Sequence, residues 1–308
     1  MTTNPSWSDL PTEARHSGSR DLDQLPTEAV VRLLIEEDRR GLTATLAHAA
    51  ALAEVAERLA ETLERGRRVL LAGAGTSGRL AVLEAAECPP TFGTDPSIIQ
   101  AAIAGGEEAV FRAREGAEDR AGEGREAAAT LGSGDLLIGL SASSVTPYTR
   151  GALGAARERG ASTVLLTCAA AHDLDGVADR VIALDTGPEV LTGSTRLKAG
   201  SATKAALNAV TTAAMVRLGK VYGNLMVDLR PGSAKLEDRA LRIIASATGT
   251  GLEEAARLRR EAGGEVKTAI VMGKLGIGSE EARQRLAEAQ GHVRIALAPS
   301  PARGRGLG

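Results

Sequence analysis

The pattern of apolar and polar positions divides the chain into a helical start followed by a series of buried strands. Between residues 26 and 64 the apolar side chains recur at helical spacing, and Gly41 is expected to separate two helices. From residue 68 onward, short apolar runs bounded by glycine alternate with helical segments. The predicted strands cover residues 68–72, 97–104, 135–140, 162–167 and 180–184, and the helices between them cover residues 79–87, 107–131 and 148–159. Pro89 and Pro90 are expected to end the first of these helices.

This order of elements predicts an α/β fold with a parallel sheet. Strands that alternate with helices form right-handed βαβ units whose helices cover both faces of the sheet. A long Ala-rich helix over residues 192–218 and short helical segments near residues 235–248, 252–262 and 280–289 follow. The predicted divisions are residues 1–58 for an arm and helices, 59–222 for the sheet domain, 223–297 for a helical region and 298–308 for a disordered tail. The first twenty-odd residues are polar and are expected to form an unpacked arm.

Composition and charge exclude several classes of function. The chain has 37 Lys and Arg against 39 Asp and Glu, a formal net charge of −2, which argues against a basic surface for nucleic acid. Aromatic residues make up 2%, too few for a base-stacking platform. Cys88 and Cys168 lack metal-binding spacing, which predicts neither a zinc site nor a disulfide. Because no signal core and no membrane-length apolar run occur, we expect a cytoplasmic protein with no membrane partner.

Two hydroxyl-rich turns follow predicted strands and could bind a phosphate group. Residues 73–78 read Gly-Ala-Gly-Thr-Ser-Gly, and residues 141–146 read Ser-Ala-Ser-Ser-Val-Thr. The carboxyl ends of parallel strands share one edge of a sheet, so the two turns are expected to form a single phosphate site. The alternative is that both turns only cap helices. The first turn also matches a dinucleotide fingerprint, but the second strand ends in Ala-Ile-Ala and lacks the acidic residue that would bind the ribose.

Two glutamates are candidates for acid–base chemistry. Glu87 ends a mostly apolar helix that begins at the first turn, where burial is expected to raise the pKa of its carboxyl group. The alternative for Glu87 is an ordinary surface position. Glu118 lies in a strongly charged segment and, judged by that segment alone, is expected to be solvated.

Several segments resemble the N-acetylmuramic acid 6-phosphate etherase family, and the resemblance spans about residues 12–297. The matching segments are residues 73–80, 87–90, 115–119, 187–200 and 219–228, of which residues 187–200 are shared with the glucokinase regulatory protein. The resemblance implies a sugar isomerase (SIS) domain, which is a flavodoxin-like three-layer αβα sandwich with a five-stranded parallel sheet that binds sugar phosphates, and a small C-terminal helical domain. It also implies a cytoplasmic homodimer with its active site at the dimer interface, and no metal or cofactor.

The resemblance also implies an activity and the residues that perform it. The family consists of lyases that cleave the D-lactyl ether of N-acetylmuramic acid 6-phosphate and add water, giving N-acetylglucosamine 6-phosphate for cell-wall recycling. Its catalytic glutamates match Glu87, the implied proton donor, and Glu118, the implied base, although the sequence does not fix that division. The implied substrate- and phosphate-binding residues are Thr76, Ser77, Gly78, Ser141, Ser143, Ser144, Thr146, Glu189, Ser194 and Lys198.

The chain departs from the family at a few positions. Ser144 and Val145 replace a Gly and an Arg in the second turn, and His16 and Ser233 each replace an Asn. If position 144 has a positive φ, Ser144 is strained, and loss of the Arg removes a possible anion contact. The alternative hypothesis is a non-catalytic sugar-phosphate-binding regulator on the same fold. Retention of both glutamates favours the enzyme.

Overall fold

A five-stranded parallel sheet organises the larger part of the chain. The computed structural model describes residues 10–169, 174–229 and 234–299. The strands are β1 (Val69–Gly73), β2 (Ile99–Ile103), β3 (Leu136–Ser141), β4 (Ser162–Thr167) and β5 (Arg180–Ala183). They run in the order β2-β1-β3-β4-β5, and every neighbouring pair is parallel. This order confirms the predicted flavodoxin-like sheet.

Helices cover the sheet, and the apolar strands explain why. The helices of this part are α1 (Thr27–Ala47), α2 (Ala49–Glu64), α3 (Gly75–Phe92), α4 (Glu108–Phe111), α5 (Ala121–Ala127), α6 (Pro147–Glu158) and α7 (Lys198–Arg217). Every residue of β1 and β3 is buried, as expected for strands that are covered on both faces. Alternate side chains, including Leu70, Leu137 and Leu165, pack with apolar residues of α6 and of the segment that follows α5.

The chain divides into two compact units. The first comprises Met1–Glu87 with Asp95–Ala214, and the second comprises Cys88–Thr94 with Met215–Gly308. The second unit contains a hairpin, β6 (Val221–Tyr222) with β7 (Leu225–Met226), and the helices α8 (Ala234–Thr248), α9 (Leu252–Glu261), α10 (Val266–Leu275), α11 (Ser279–Glu288) and α12 (Val293–Ala296). Its apolar cluster confirms the predicted helical domain. Within the described ranges, no helix combines the length and apolar character needed to cross a bilayer.

Two predicted helix boundaries are wrong. Helix α1 continues through Gly41 and ends only before His48. Position 41 favours glycine because a Cβ atom there would lie 2.7 Å from Cγ of Lys198. Helix α3 includes Pro89 and Pro90, which lie in its last turn. There the missing N–H groups affect only the end of the helix.

The prediction of an unpacked arm is also wrong for the part that the structure describes. Leu10, Thr12 and His16 are buried. Short 3-10 turns cover Pro11–Glu13, Ser17–Ser19 and Leu22–Gln24. Residues 1–9, Ser233 and all of the predicted tail except residues 298 and 299 lie outside the described residues.

Candidate functional site

A cavity of about 300 Å³ opens at the carboxyl ends of β1 and β3. The turn after β1, the loop after β3 and the segment before α5 form most of its wall. The sequence-predicted site residues that line it are Thr76, Ser77, Glu118, Ser143 and Thr146. The structure therefore brings both hydroxyl-rich turns and one of the two glutamates to a single cavity, at the sheet edge where ligands of such folds bind.

The first turn presents the start of a helix to this cavity. The N–H group of Gly78 donates to the Ala74 carbonyl at 3.1 Å, so Thr76 and Ser77 lie in the first turn of α3. N–H groups in a first turn lack intrahelical acceptors and attract anions. Among the described residues, the Thr76 and Ser77 hydroxyls have no hydrogen-bond partner, so both are free to bind a ligand. Gly78 is buried outside the lining: a Cβ atom there would lie 2.5 Å from Cγ1 of Ile103.

Only some of the hydroxyl side chains of the second loop line the cavity. The Ser141 and Thr146 hydroxyl oxygens lie 2.8 Å apart, within hydrogen-bond distance. Ser143 and Thr146 line the cavity, whereas Ser144 is fully buried and its hydroxyl donates to the Ser143 carbonyl. Ser144 has φ +67°, so the condition under which the sequence predicted strain is met. Ser144 and Ser141 do not line the cavity.

Glu118 reaches the cavity on a loop, which corrects the helix predicted over residues 107–131. Helix α4 ends at Phe111 and α5 begins at Ala121, with residues 112–120 irregular between them. Gly116 has φ +72°, a conformation that interrupts a helix. The charged spacing of this segment suggested a helical face, but it belongs to a solvated loop whose Glu118 is exposed at the cavity.

The Glu118 loop is fixed by close contact between α5 and α6. The carbonyl of Glu118 accepts a hydrogen bond from the N–H group of Tyr148 at 2.9 Å, where α6 begins. A Cβ atom at Gly124 would lie 1.9 Å from the Tyr148 carbonyl oxygen, and one at Gly151 would lie 2.2 Å from the Ala121 carbonyl oxygen. These glycines allow the two backbones to touch, and the contact ties Glu118 to the second hydroxyl loop.

Glu87 lies outside the cavity lining. It is exposed on α3, so the buried environment predicted for it is wrong for a single chain. Ten residues separate it from Ser77 along this helix, or about 15 Å at a rise of about 1.5 Å per residue. The buried carboxylate of α3 is instead Glu84, which pairs with the Lys204 ammonium at 2.6 Å.

Glu189 and Lys198 have internal partners and do not line the cavity. The Glu189 carboxylate accepts the N–H groups of Lys198 and Ala199 at 3.1 and 2.8 Å, which caps the start of α7. Burial raises the pKa of Glu189, and these two hydrogen bonds offset part of the rise. The Lys198 ammonium binds the Glu37 carboxylate at 2.7 Å and the Pro188 carbonyl at 2.8 Å. Ser194 is also outside the lining, although its neighbours in sequence line the cavity.

Several cavity residues were not assigned by sequence reasoning. These are Thr12, Glu13, Arg79, Arg114 and Glu115. The family resemblance, which begins at about residue 12, was the available signal for Thr12 and Glu13, but their polar context suggested an unpacked segment. For the two arginines and Glu115 the charges alone gave no signal, because most such residues are solvated.

Comparisons with known proteins match this chain to SIS domain models and to etherases that are named for a sugar phosphate. The model of the glucokinase regulatory protein N-terminal SIS domain matches residues 51–157, and the SIS domain model matches residues 119–213. The chain is 49% identical over 268 residues to the N-acetylmuramic acid 6-phosphate etherase of Cutibacterium acnes, a match that covers 86% of this chain and 88% of the relative. Its identity to the etherase of Rubrobacter xylanophilus is 50% over 271 residues, covering 87% and 90%. For the etherase of a Synechococcus species the identity is 47%, covering 87% and 85%.

Proposed function

Because the chain belongs to the N-acetylmuramic acid 6-phosphate etherase family, we propose that its cavity binds N-acetylmuramic acid 6-phosphate and that the protein eliminates D-lactate from it. The observation that carries this proposal is the convergence of two hydroxyl turns and Glu118 on one cavity. We also propose that this reaction takes place in the cytoplasm.

The sugar phosphate group binds at the start of α3. The hydroxyls of Thr76, Ser77 and Ser143, which have no hydrogen-bond partner in the described part of the chain, and the first-turn N–H groups suit a tetrahedral dianion, which the helix dipole also favours. A site made this way needs no bound metal to attract the phosphate. The phosphate is remote from C2 and C3, so its binding energy serves to orient the reacting carbon atoms.

The reaction is an elimination followed by addition of water. When the sugar ring opens, the C1 aldehyde acidifies the C2 proton, which one glutamate removes. The electron pair left on C2 forms the C2–C3 double bond as the C3–O bond breaks, and the ether oxygen takes a proton from the second glutamic acid as D-lactate leaves. Water then adds its hydroxyl to C3 and a proton to C2, giving N-acetylglucosamine 6-phosphate. Acid–base groups of this kind contribute about 10²- to 10⁴-fold each.

Glu118 is assigned to the chain whose cavity it lines, and Glu87 to a second copy of the chain. Glu87 is exposed, lies about 15 Å from Ser77 along α3, and does not line the cavity of its own chain. A homodimer in which each cavity receives Glu87 from its partner satisfies both assignments. In this arrangement Glu87 donates the proton to the leaving oxygen and Glu118 is the base.

An exposed apolar face supports the homodimer. On α1, Val31, Ile35, Leu42 and Leu46 share one face at helical spacing and are exposed by 49, 65, 47 and 72%. The last two line an apolar groove with alanines of α2 and α7. A contiguous apolar face of this kind is typical of an interface, and a symmetric dimer would cover it with the same face of a second copy.

A heterodimer experiment tests this assignment. Glu87→Gln and Glu118→Gln chains carry different affinity tags, are co-expressed, and the mixed dimer is purified through both tags. If each site combines Glu118 of one chain with Glu87 of the other, the mixed dimer keeps one intact site of two, so about half of the wild-type lactate release is expected. Each variant homodimer should be inactive, and Glu107→Gln, an exposed residue outside the cavity, is the active control.

Two other outcomes have defined meanings. A mixed dimer without activity would show that both glutamates act within one chain, and an active Glu87→Gln homodimer would show that Glu87 is not catalytic. A wild-type protein that binds N-acetylglucosamine 6-phosphate but releases no lactate from the muramic acid derivative would contradict the etherase proposal and favour a sugar-phosphate-binding regulator.

A further inference from the structure

Thr12 places a buried hydroxyl without a partner in the wall of the cavity. The residue is 2% exposed and lines the cavity, and its Oγ1 atom has no hydrogen-bond partner among the described residues. Burying an unpaired hydroxyl is unfavourable, and buried polar side chains in folded proteins are normally hydrogen-bonded. A hydroxyl held in this state beside a ligand cavity is suited to pair with the ligand.

The segment that carries Thr12 is anchored rather than free. The His16 imidazole lies 3.3 Å from the buried Glu37 carboxylate through Nε2 and accepts the Gly18 N–H at Nδ1. Ser19 donates its hydroxyl to the Val190 carbonyl at 2.7 Å. These contacts attach the segment to α1 and to the stretch just before α7, so Thr12 has a fixed position at the cavity.

The charges around Thr12 indicate which part of a ligand it faces. Glu13 and Glu118 line the same cavity, and a Cβ atom at Gly193 would lie 3.0 Å from the Glu13 carboxylate. Carboxylates repel anionic groups, and the start of α3 is the part of the wall suited to a phosphate. The side of the cavity formed by Thr12 and Glu13 is therefore suited to an uncharged group.

We propose that the Thr12 hydroxyl hydrogen-bonds an uncharged polar group, a hydroxyl or the amide, of the bound amino sugar phosphate, and so helps to position the sugar ring. This inference rests on the proposed function, because it takes the substrate from there. If the inference is correct, the N-terminal segment that carries Thr12 is part of the binding site.

The test replaces the hydroxyl with a methyl group of similar size. Thr12→Val should raise KM for N-acetylmuramic acid 6-phosphate about threefold to tenfold, the effect of one neutral hydrogen bond. The melting temperature of the ligand-free variant should be unchanged or higher, because an unpaired buried hydroxyl is lost. Thr12→Ser should keep KM within about twofold of wild type, because it retains the hydrogen-bonding group.

A second buried hydroxyl provides the control. Thr94 is 4% exposed and its Oγ1 is also unpartnered among the described residues, but it does not line the cavity. Thr94→Val should leave KM at the wild-type value. A Thr12→Val protein with wild-type KM, or one that loses melting temperature in step with affinity, would overturn the inference, since the second result points to a structural role.

The same variants separate this inference from the proposed function. If the wild type releases no lactate, the etherase proposal fails. Calorimetry with N-acetylglucosamine 6-phosphate then still compares wild type and Thr12→Val. A loss of affinity of about threefold to tenfold supports the inference, and equal affinity refutes it.

Discussion

The substitution Lys198→Met distinguishes a structural role for this lysine from the substrate contact that family resemblance implies. The Lys198 ammonium and the Glu37 carboxylate lie 2.7 Å apart, and their side chains are 4 and 3% exposed. Removing one partner of a buried pair leaves an uncompensated charge and costs about 3–5 kcal/mol. Because Arg40 also pairs with Glu37 at 2.6 Å, we expect the lower end, a loss of about 3 kcal/mol in the free energy of unfolding.

The pair also predicts how stability depends on pH. Burial raises the pKa of Glu37. The hydrogen bond and charge of Lys198, together with the charges of His16 and Arg40, lower the pKa by more than burial raises it, so it lies below its usual 4.5. A carboxylate whose pKa is depressed by folding contributes stability above its unfolded pKa. That contribution is lost as the pH falls from about 4.5 through the folded value. In Lys198→Met the loss of stability on acidification should be smaller, because the ammonium group that lowers the pKa of Glu37 is gone.

Urea unfolding followed by circular dichroism measures both effects, and enzyme kinetics complete the assay. Adding Glu37→Gln to Lys198→Met removes the stranded charge and should recover more than half of the lost stability. Since Lys198 does not line the cavity and Glu37 can still pair with His16 in the single variant, KM of Lys198→Met at a temperature where it is folded should stay within about threefold. Unchanged stability combined with a large rise in KM would refute the structural role of Lys198 and support a contact between Lys198 and the substrate.

Three further predictions concern individual residues. Gly124→Ala places a Cβ atom 1.9 Å from the Tyr148 carbonyl oxygen, so it should lower the unfolding free energy by about 1–3 kcal/mol and reduce turnover. The control is Gly122→Ala in the same helix, whose Cβ atom meets nothing within 4 Å and should not destabilise the protein. Ser144→Gly relieves a φ of +67° and should raise the unfolding free energy by about 0.5–1 kcal/mol in the same assay; a fall of that size would argue against strain there. Burial raises the pKa of the Cys168 thiol to about 11, so at pH 8 a thiol reagent should label it, by mass spectrometry, no faster than the chain unfolds.

The sheet could be predicted because its strands have a strong local signal. Runs such as residues 69–73 are apolar throughout and end in glycine, so burial on both faces is readable without any partner. Helix α10 was missed for the related reason that it is buried on almost every side and has no polar face to give it a helical period. The loop before α5 was predicted as helix because its charges are regularly spaced, and the left-handed turn at Gly116 outweighed that spacing.

The candidate site was partly predictable for the same reason. Hydroxyls beside glycines at strand ends have a local signal, and Thr76, Ser77, Ser143 and Thr146 do line one cavity. Thr12 has no such signal, because its position depends on His16 meeting Glu37 across 21 residues of chain. Contacts of this range are decided by tertiary packing, and composition near Thr12 indicates only a polar arm.

Binding of the phosphate group by the two hydroxyl turns can be measured through the kinetics of the double variant Ser77→Ala with Ser143→Ala. With lactate release as the readout, the double variant should raise KM about tenfold or more while kcat falls less, since the phosphate contacts are made in the ground state and the transition state alike. A KM equal to that of the wild type would mean that the phosphate binds elsewhere and would contradict the account.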